Sequence, residues 1–211
     1  MKEYKLPIGC DVPETIILAD GDFPSHPLAL EWLRQCPYVV CCDGAANTYI
    51  RSGRMSEAIV GDGDSLLPDI KERYASLIHS EAEQETNDLS KAFRFCLSQE
   101  RKRITIMGAT GKREDHTIGN VSLLADYMEQ AEVSMMTDYG IFVPIREDSM
   151  FESYIGQQIS VFNMNSTALS AEGLAYPLSV FTNWWQGTLN EALARHFIIR
   201  TEGKVLVFRV F

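Results

Sequence analysis

The chain has 211 residues, enough for one large domain or two small ones. Its hydrophobic content of 45% supports a sizeable core, and its net charge of −10 argues against a nucleic-acid partner, whose phosphates need a basic surface. The same charge admits a phosphorylated small molecule only in the company of divalent cations.

Five cysteines (Cys10, Cys36, Cys41, Cys42, Cys96), an odd count with no C-x-x-C, speak against a disulfide framework or a thiolate zinc site. The opening stretch MKEYKLPIGCDVPE has no apolar centre, and no apolar run approaches membrane-spanning length. The expectation is a soluble, cytoplasmic protein with no membrane partner.

In chain order, TIILAD (15–20), YVVCCD (38–43), AIVGD (58–62), RITIMG (103–108) and EVSMMT (132–137) read as buried strands. Between them PLALEWLRQ, GAANTYIRSG, NDLSKAFRFCLSQ and DHTIGNVSLLADYMEQ have helical spacing. Continuous apolar strands separated by helices predict a mostly parallel sheet covered on both faces, with ligands bound outside the carboxyl ends of the strands. Acids fall at those ends: Asp20 and Asp22 after the first strand, Asp43 after the second, Asp62 and Asp64 after the third. One such turn is ordinary chemistry for Asp and Gly, but three in succession on one edge point to a site. Beyond residue 138 the segments GIFVPIR, SMFESYIG, QQISVFNMN, TALSAEG, HFIIRTEG and KVLVFRVF are short and broken by turn residues, the pattern of an antiparallel β-sandwich or barrel. The fold class expected is therefore α/β plus all-β, with the boundary between residues 138 and 139.

Three stretches carry chemistry. VGDGDSL (60–66) sets Asp62 and Asp64 one residue apart, so that both carboxylates can reach one Mg²⁺ while Gly63 leaves room for a substrate. QETNDLSKA (84–92) offers Asn87 as a helix N-cap and Asp88 in the first turn, with Leu89, Ala92, Phe93 and Cys96 as the apolar stripe. Lys91 is a surface partner of Asp88 or a phosphate contact. GATGKREDHTIGN (108–120) is a glycine-containing loop between a strand and a helix, suited to anions. Its glycines are too close for a P-loop, and Arg113 stands where a metal-binding hydroxyl belongs. Arg113 is placed to clamp a phosphate, and His116 and Asn120 share a helical face. Acids for Mg²⁺, an arginine and a glycine loop at one sheet edge are the set that phosphoryl-type transfer uses.

The ordered set CCDGAAN, VGDGDS, QETNDLSKA, GATGKREDHTIGN, GLAYPL and GTLNEA resembles the thiamin pyrophosphokinase family from about residue 15 onward. The resemblance implies transfer of the pyrophosphoryl group of ATP, the co-substrate, to the hydroxyl of thiamin, giving thiamin diphosphate and AMP. It implies an α/β catalytic domain (1–138) that binds ATP and Mg²⁺, and a β-sandwich (139–211) that binds thiamin and forms a homodimer, with the active site at the subunit interface. By position, Asp43, Asp62, Asp64 and Asp88 are the acids expected around Mg²⁺. Gln84, Arg113, Asp115 and Asn120, together with Asp43, are expected to contact ATP or its phosphates. Asp64, Asp88 and Arg113 carry the catalytic roles, and Tyr176, Thr188, Leu189 and Asn190 the thiamin contacts. Trp184 and Trp185 are read as core or interface and left outside the site. Three departures stand out: Asn87 replaces a threonine, Lys112 a glycine in the glycine loop, and Leu189 a serine. Two other readings share these acids, a nucleotidyltransferase, which releases pyrophosphate, and a nucleotide-binding module without chemistry.

Overall fold

Three of the apolar runs become strands buried at all four positions, in a computed structural model that describes residues 1–7, 11–81 and 85–211. The chain opens with β1 (Lys2–Tyr4) and continues through β2 (Thr15–Leu18), α1 (Pro27–Gln35), β3 (Val39–Cys42), α2 (Ala45–Arg51) and β4 (Ala58–Gly61). Then come α3 (Pro68–Arg73), β5 (Ile78–Ser80), α4 (Asp88–Ser98), β6 (Arg103–Met107), α5 (Glu114–Tyr127) and β7 (Glu132–Met136). The remainder is β8 (Gly140–Ile145), β9 (Ser149–Glu152), β10 (Gln158–Asn163), β11 (Leu169–Glu172), β12 (Asn190–Glu191), β13 (His196–Thr201) and β14 (Val205–Val210). Two compact units result, one running to Asp138, the other joining the first residues to Tyr139–Phe211.

In the first unit six strands lie in the order β7-β6-β2-β3-β4-β5, and every pairing among them is parallel. From β2 the chain moves outward through β3, β4 and β5, then returns to the other side of β2 for β6 and β7. The strand order therefore reverses between β2 and β6, where the loops after the two strands diverge and leave a crevice at their carboxyl ends. The helices form for local reasons. α1 starts at Pro27, with His26 Nδ1 accepting from the Leu28 N–H at 3.3 Å. α4 starts where Asn87 Oδ1 accepts from the Ser90 N–H at 2.9 Å, and it buries Leu89, Ala92, Phe93 and Cys96, as its spacing predicts. The Phe93 ring stacks on Tyr127 of α5 at 3.9 Å.

The second unit is a sandwich of two sheets, β1-β9-β13-β11 and β12-β10-β14-β8, closed over a core that includes Ile141, Val143, Phe151, Val161, Phe197 and Val207. Its pairings are antiparallel except that of β1, which runs parallel to β9. This corrects the expected start of the N-terminal domain, since residues 2–4 belong to the sandwich. The physical reason is local: the Tyr4 ring stacks on Phe151 at 4.8 Å, and the buried Arg209 donates to the carbonyls of Lys5 and Glu152, each at 3.0 Å. Burial pushes the Arg209 pKa down to about 10, and its guanidinium lies over the Phe151 ring. Among the described residues no helix is long and apolar enough to cross a membrane.

Candidate active site

The C-terminal ends of β3 and β4 build the centre of the site. Asp43 follows β3 directly, in left-handed backbone (φ 33°), and is 4% exposed. Such a conformation is uncommon for a residue with a side chain, though Asp tolerates it better than most. Its Oδ2 accepts from the Ser65 N–H at 3.0 Å, while Oδ1 is buried with no hydrogen-bond partner among the described residues. Burial, with the negative charges of Asp88 and Asp62, pushes the Asp43 carboxyl above its ordinary pKa, and the Ser65 N–H offsets part of this. Gly61, the last residue of β4, makes the arrangement possible. A Cβ there would stand 2.8 Å from the Asp43 Cβ and 3.4 Å from the Asp88 Cγ, so a side chain would push apart two carboxylates that converge across it.

The VGDGDS loop is held in place by side chains that sequence reading missed. Asn47 donates to the Ser65 carbonyl at 2.8 Å and accepts from the Leu67 N–H at 3.0 Å. Lys71 donates to the Gly63 carbonyl at 2.9 Å. Asp62 lines the cleft and receives the Asp64 N–H on its Oδ1 at 3.0 Å, whereas Asp64 itself is exposed and lies outside the lining. A signal for Asn47 is present in CCDGAAN, where it sits one helical turn beyond Asp43. Lys71 carries none, because its target is a carbonyl.

At the N-terminus of α4 the half-buried Asp88 pairs with Lys91, Nζ to Oδ1 at 3.1 Å. Lys91 is not the surface partner that one reading expected: its side chain is 5% exposed and lines the cleft. Arg113 stands at the N-cap position of α5 and grips Asp115 with two hydrogen bonds, at 3.1 and 2.6 Å. Those bonds hold the guanidinium above, and the carboxyl below, their ordinary pKa values. The Asn120 carboxamide accepts from Asn87 at 3.2 Å and donates to the Ala109 carbonyl at 2.8 Å, tying α4 to the loop after β6. Gln84 lies outside the described residues.

These groups enclose a cleft of about 680 Å³ at the carboxyl edge of the sheet. Asp43, Asp62, Asp88, Arg113, Asp115 and Asn120 all line it. Its basic residues are paired with acids: Lys91 with Asp88, Lys112 with Asp20, and Arg113 with Asp115. No ion pair to Asp43 or Asp62 is found among the described residues, so these two carboxylates keep their charge available. Nor does any group of three or more His, Cys, Asp or Glu side chains among the described residues form a ready cage for a metal ion. That donor set suits Mg²⁺, which takes one or two carboxylates and completes its shell with water and substrate phosphate. The orphaned Asp43 oxygen is the feature that a cation would satisfy.

In the second unit Asn190 is buried, and both ends of its carboxamide are engaged. It accepts from the Tyr176 N–H at 3.0 Å and the Glu191 N–H at 2.9 Å, and donates to the Tyr176 carbonyl at 2.8 Å. It thereby fixes the backbone of Tyr176, a residue that is 64% exposed. Leu189 adopts a left-handed backbone (φ 62°) and is 76% exposed, and Thr188 Oγ1 donates to the Trp185 carbonyl at 2.7 Å. Thr188, Leu189 and Asn190 are consecutive, and the buried Asn190 ties them to Tyr176.

Two family models match the chain. The model for "Thiamin pyrophosphokinase, catalytic domain" matches residues 29–136, and that for "Thiamin pyrophosphokinase, substrate-binding domain" matches residues 140–208. Among curated relatives, thiamine pyrophosphokinase 1 of Oryza sativa subsp. japonica is 29% identical over 129 residues, 49% of this chain and 49% of that protein. Thiamin pyrophosphokinase 1 of Caenorhabditis elegans is 30% identical over 110 residues, 48% and 45%. The chain therefore spans about half the length of the curated relatives it matches. Among solved structures, thiamin pyrophosphokinase from Candida albicans superposes with a TM-score of 0.81 at 18% identity, covering 100% of this chain and 93% of that one. The yeast thiamin pyrophosphokinase gives 0.80 at 16%, covering 100% and 91%. At these identities the superpositions establish the fold, and the match of the catalytic-domain model to half of the sequence establishes the lineage. This chain belongs to the thiamin pyrophosphokinase family.

Proposed function

We propose that the chain transfers the pyrophosphoryl group of ATP to the hydroxyl of thiamin, releasing AMP. The observation that carries this reading is the convergence of Asp43, Asp62 and Asp88 on one cleft that also holds Arg113, with the Asp43 Oδ1 buried and unpartnered. The names of the family models and relatives supply the substrates. In this reading the thiamin hydroxyl oxygen attacks the β-phosphorus in line. The bond from that phosphorus to the oxygen bridging the α-phosphorus breaks, AMP leaves with the bridging oxygen, and the hydroxyl proton passes to solvent. Mg²⁺ bound by Asp43, Asp62 and Asp88 would neutralise phosphate charge. Arg113 exchanges Asp115 for phosphate oxygens, Asp88 orients the attacking hydroxyl, and Asn120 keeps the glycine loop in register with α4. Asp64, on the same loop as Asp62, would be the further acid available to the metal.

We extend the proposal to a homodimer whose thiamin site combines Tyr176, Thr188, Leu189 and Asn190 with a partner subunit. Large apolar side chains of the second unit, Trp185 at 73% and Leu189 at 76% exposed, support it. The cytoplasm, where ATP is available, is the compartment this reading implies.

Product analysis tests the proposal. Purified protein incubated with ATP, Mg²⁺ and thiamin should yield AMP and thiamin diphosphate in equal amounts, both abolished when thiamin is omitted. Release of ADP or pyrophosphate in their place would overturn it. Light scattering tests the dimer, and a monomer that retains full activity would refute the shared site.

A further inference from the structure

We propose that Lys112 is a nucleotide-phosphate-binding residue, latched in readiness by Asp20 across the crevice between β2 and β6. The idea rests on the nucleotide reading above and adds to it one contact, from Lys112. Lys112 sits in the glycine loop with φ 54°, a left-handed conformation that costs a residue with a Cβ roughly 1 kcal/mol or more. The surroundings enforce that conformation. The Gly21 N–H donates to the Gly108 carbonyl at 2.6 Å and the Asp22 N–H to the Thr110 carbonyl at 2.9 Å, so the loops after β2 and β6 are locked together by backbone.

The enforced turn aims the ammonium across the point where the strand order reverses. There its Nζ donates to the Asp20 carbonyl at 2.8 Å and to Asp20 Oδ1 at 3.1 Å. Asp20 is held from the other side: a Cβ at Gly44 would stand 2.7 Å from Asp20 Oδ2, so the carboxylate rests on the first turn of α2. Lys112 and Asp20 both line the cleft, and both side chains are about half exposed, at 53% and 47%. An exposed pair of this kind contributes little to stability, so it does not by itself account for the strained lysine. A polyphosphate entering the crevice would offer the ammonium a better partner than Asp20. The carboxylate, released, would remain over α2 to receive Lys112 again when the nucleotide leaves. The latch keeps the lysine from roaming and lowers the ordering entropy of nucleotide binding.

Calorimetry with full-length protein in Mg²⁺, without thiamin, tests this by comparing α,β-methylene-ATP with AMP. Lys112→Gly suits the local backbone and removes the charge; Lys112→Arg keeps the charge. The expected result is that Lys112→Gly weakens the triphosphate analogue about tenfold or more while moving AMP by less than about twofold. Lys112→Arg should stay within about threefold of wild type for both ligands. An unchanged triphosphate affinity in Lys112→Gly, beside normal wild-type binding, would overturn the latch and leave the proposed function standing. Equal weakening of both ligands would also overturn it, as the mark of general loop damage. Wild-type protein that binds neither nucleotide would overturn the latch and the nucleotide reading together.

Discussion

Two buried polar residues, Asn190 in the sandwich and Asp43 in the α/β unit, are satisfied to different degrees. In the sandwich, Asn190 uses its carboxamide oxygen twice and its amide once, all on backbone. In the α/β unit, Asp43 is equally buried yet leaves one carboxylate oxygen unsatisfied and faces the charges of Asp62 and Asp88. A satisfied polar group stabilises a fold, whereas an orphaned one opposes folding and persists where a ligand completes it. The contrast is between a side chain whose partners are all backbone and one that lines a cleft with an oxygen to spare.

Substitutions can break or sharpen that contrast. The largest effect is expected at Gly61, where Gly61→Val should lower kcat/KM by at least about 1000-fold, because the side chain drives Asp43 and Asp88 apart. Steady-state kinetics on protein with native circular dichroism checks it. Next comes Asp43→Asn, expected to lower kcat by about 100-fold while raising thermal stability. The sign follows from linkage. The folded-state pKa of Asp43 lies above its ordinary 3.8, so its contribution to stability is most favourable below that value and is lost as pH rises through the raised one. Asn removes that loss, so the gain in Tm should be present at roughly pH 7 and vanish by roughly pH 3. A drop in Tm at neutral pH would mean that Asp43 is scaffold after all. Asn190→Ala, the counterpart in the sandwich, should lose about 2–3 kcal/mol of stability in denaturant titration, having left three backbone groups without partners. The smallest effect is expected at Asn120→Ala: about 1 kcal/mol of stability and a rise in the KM for ATP of about threefold, since only the tie between α4 and the glycine loop is cut.

Much of this was legible in the sequence because burial writes itself as composition. Unbroken apolar runs marked β2, β3 and β4, and the stripe on α4 was set by its spacing. β1, β5 and β12 are two or three residues long and α3 only six, too short for any period to show, and β1 is recruited by a strand almost 150 positions later. In the site, Asp43, Asp62 and Asp88 could be read because an acid at a strand end or in a first helical turn is a local pattern. Lys91 could not: a lysine three residues after an aspartate on a helix has the pattern of a surface pair, and only packing reveals that it is buried. Lys71 acts on a carbonyl, which carries no residue signature. The Lys112–Asp20 latch joins positions 92 residues apart and needed the strand order to become visible.

The most direct test of the cation platform is Mn²⁺ binding, with Mn²⁺ standing in for Mg²⁺, followed by water-proton relaxation in the presence of α,β-methylene-ATP. Wild type and Asp43→Asn would be compared at the same nucleotide saturation. The account predicts that Asp43→Asn binds the cation at least about tenfold more weakly. Equal affinity in the two proteins would contradict it and return the buried, unpartnered carboxylate of Asp43 to the scaffold.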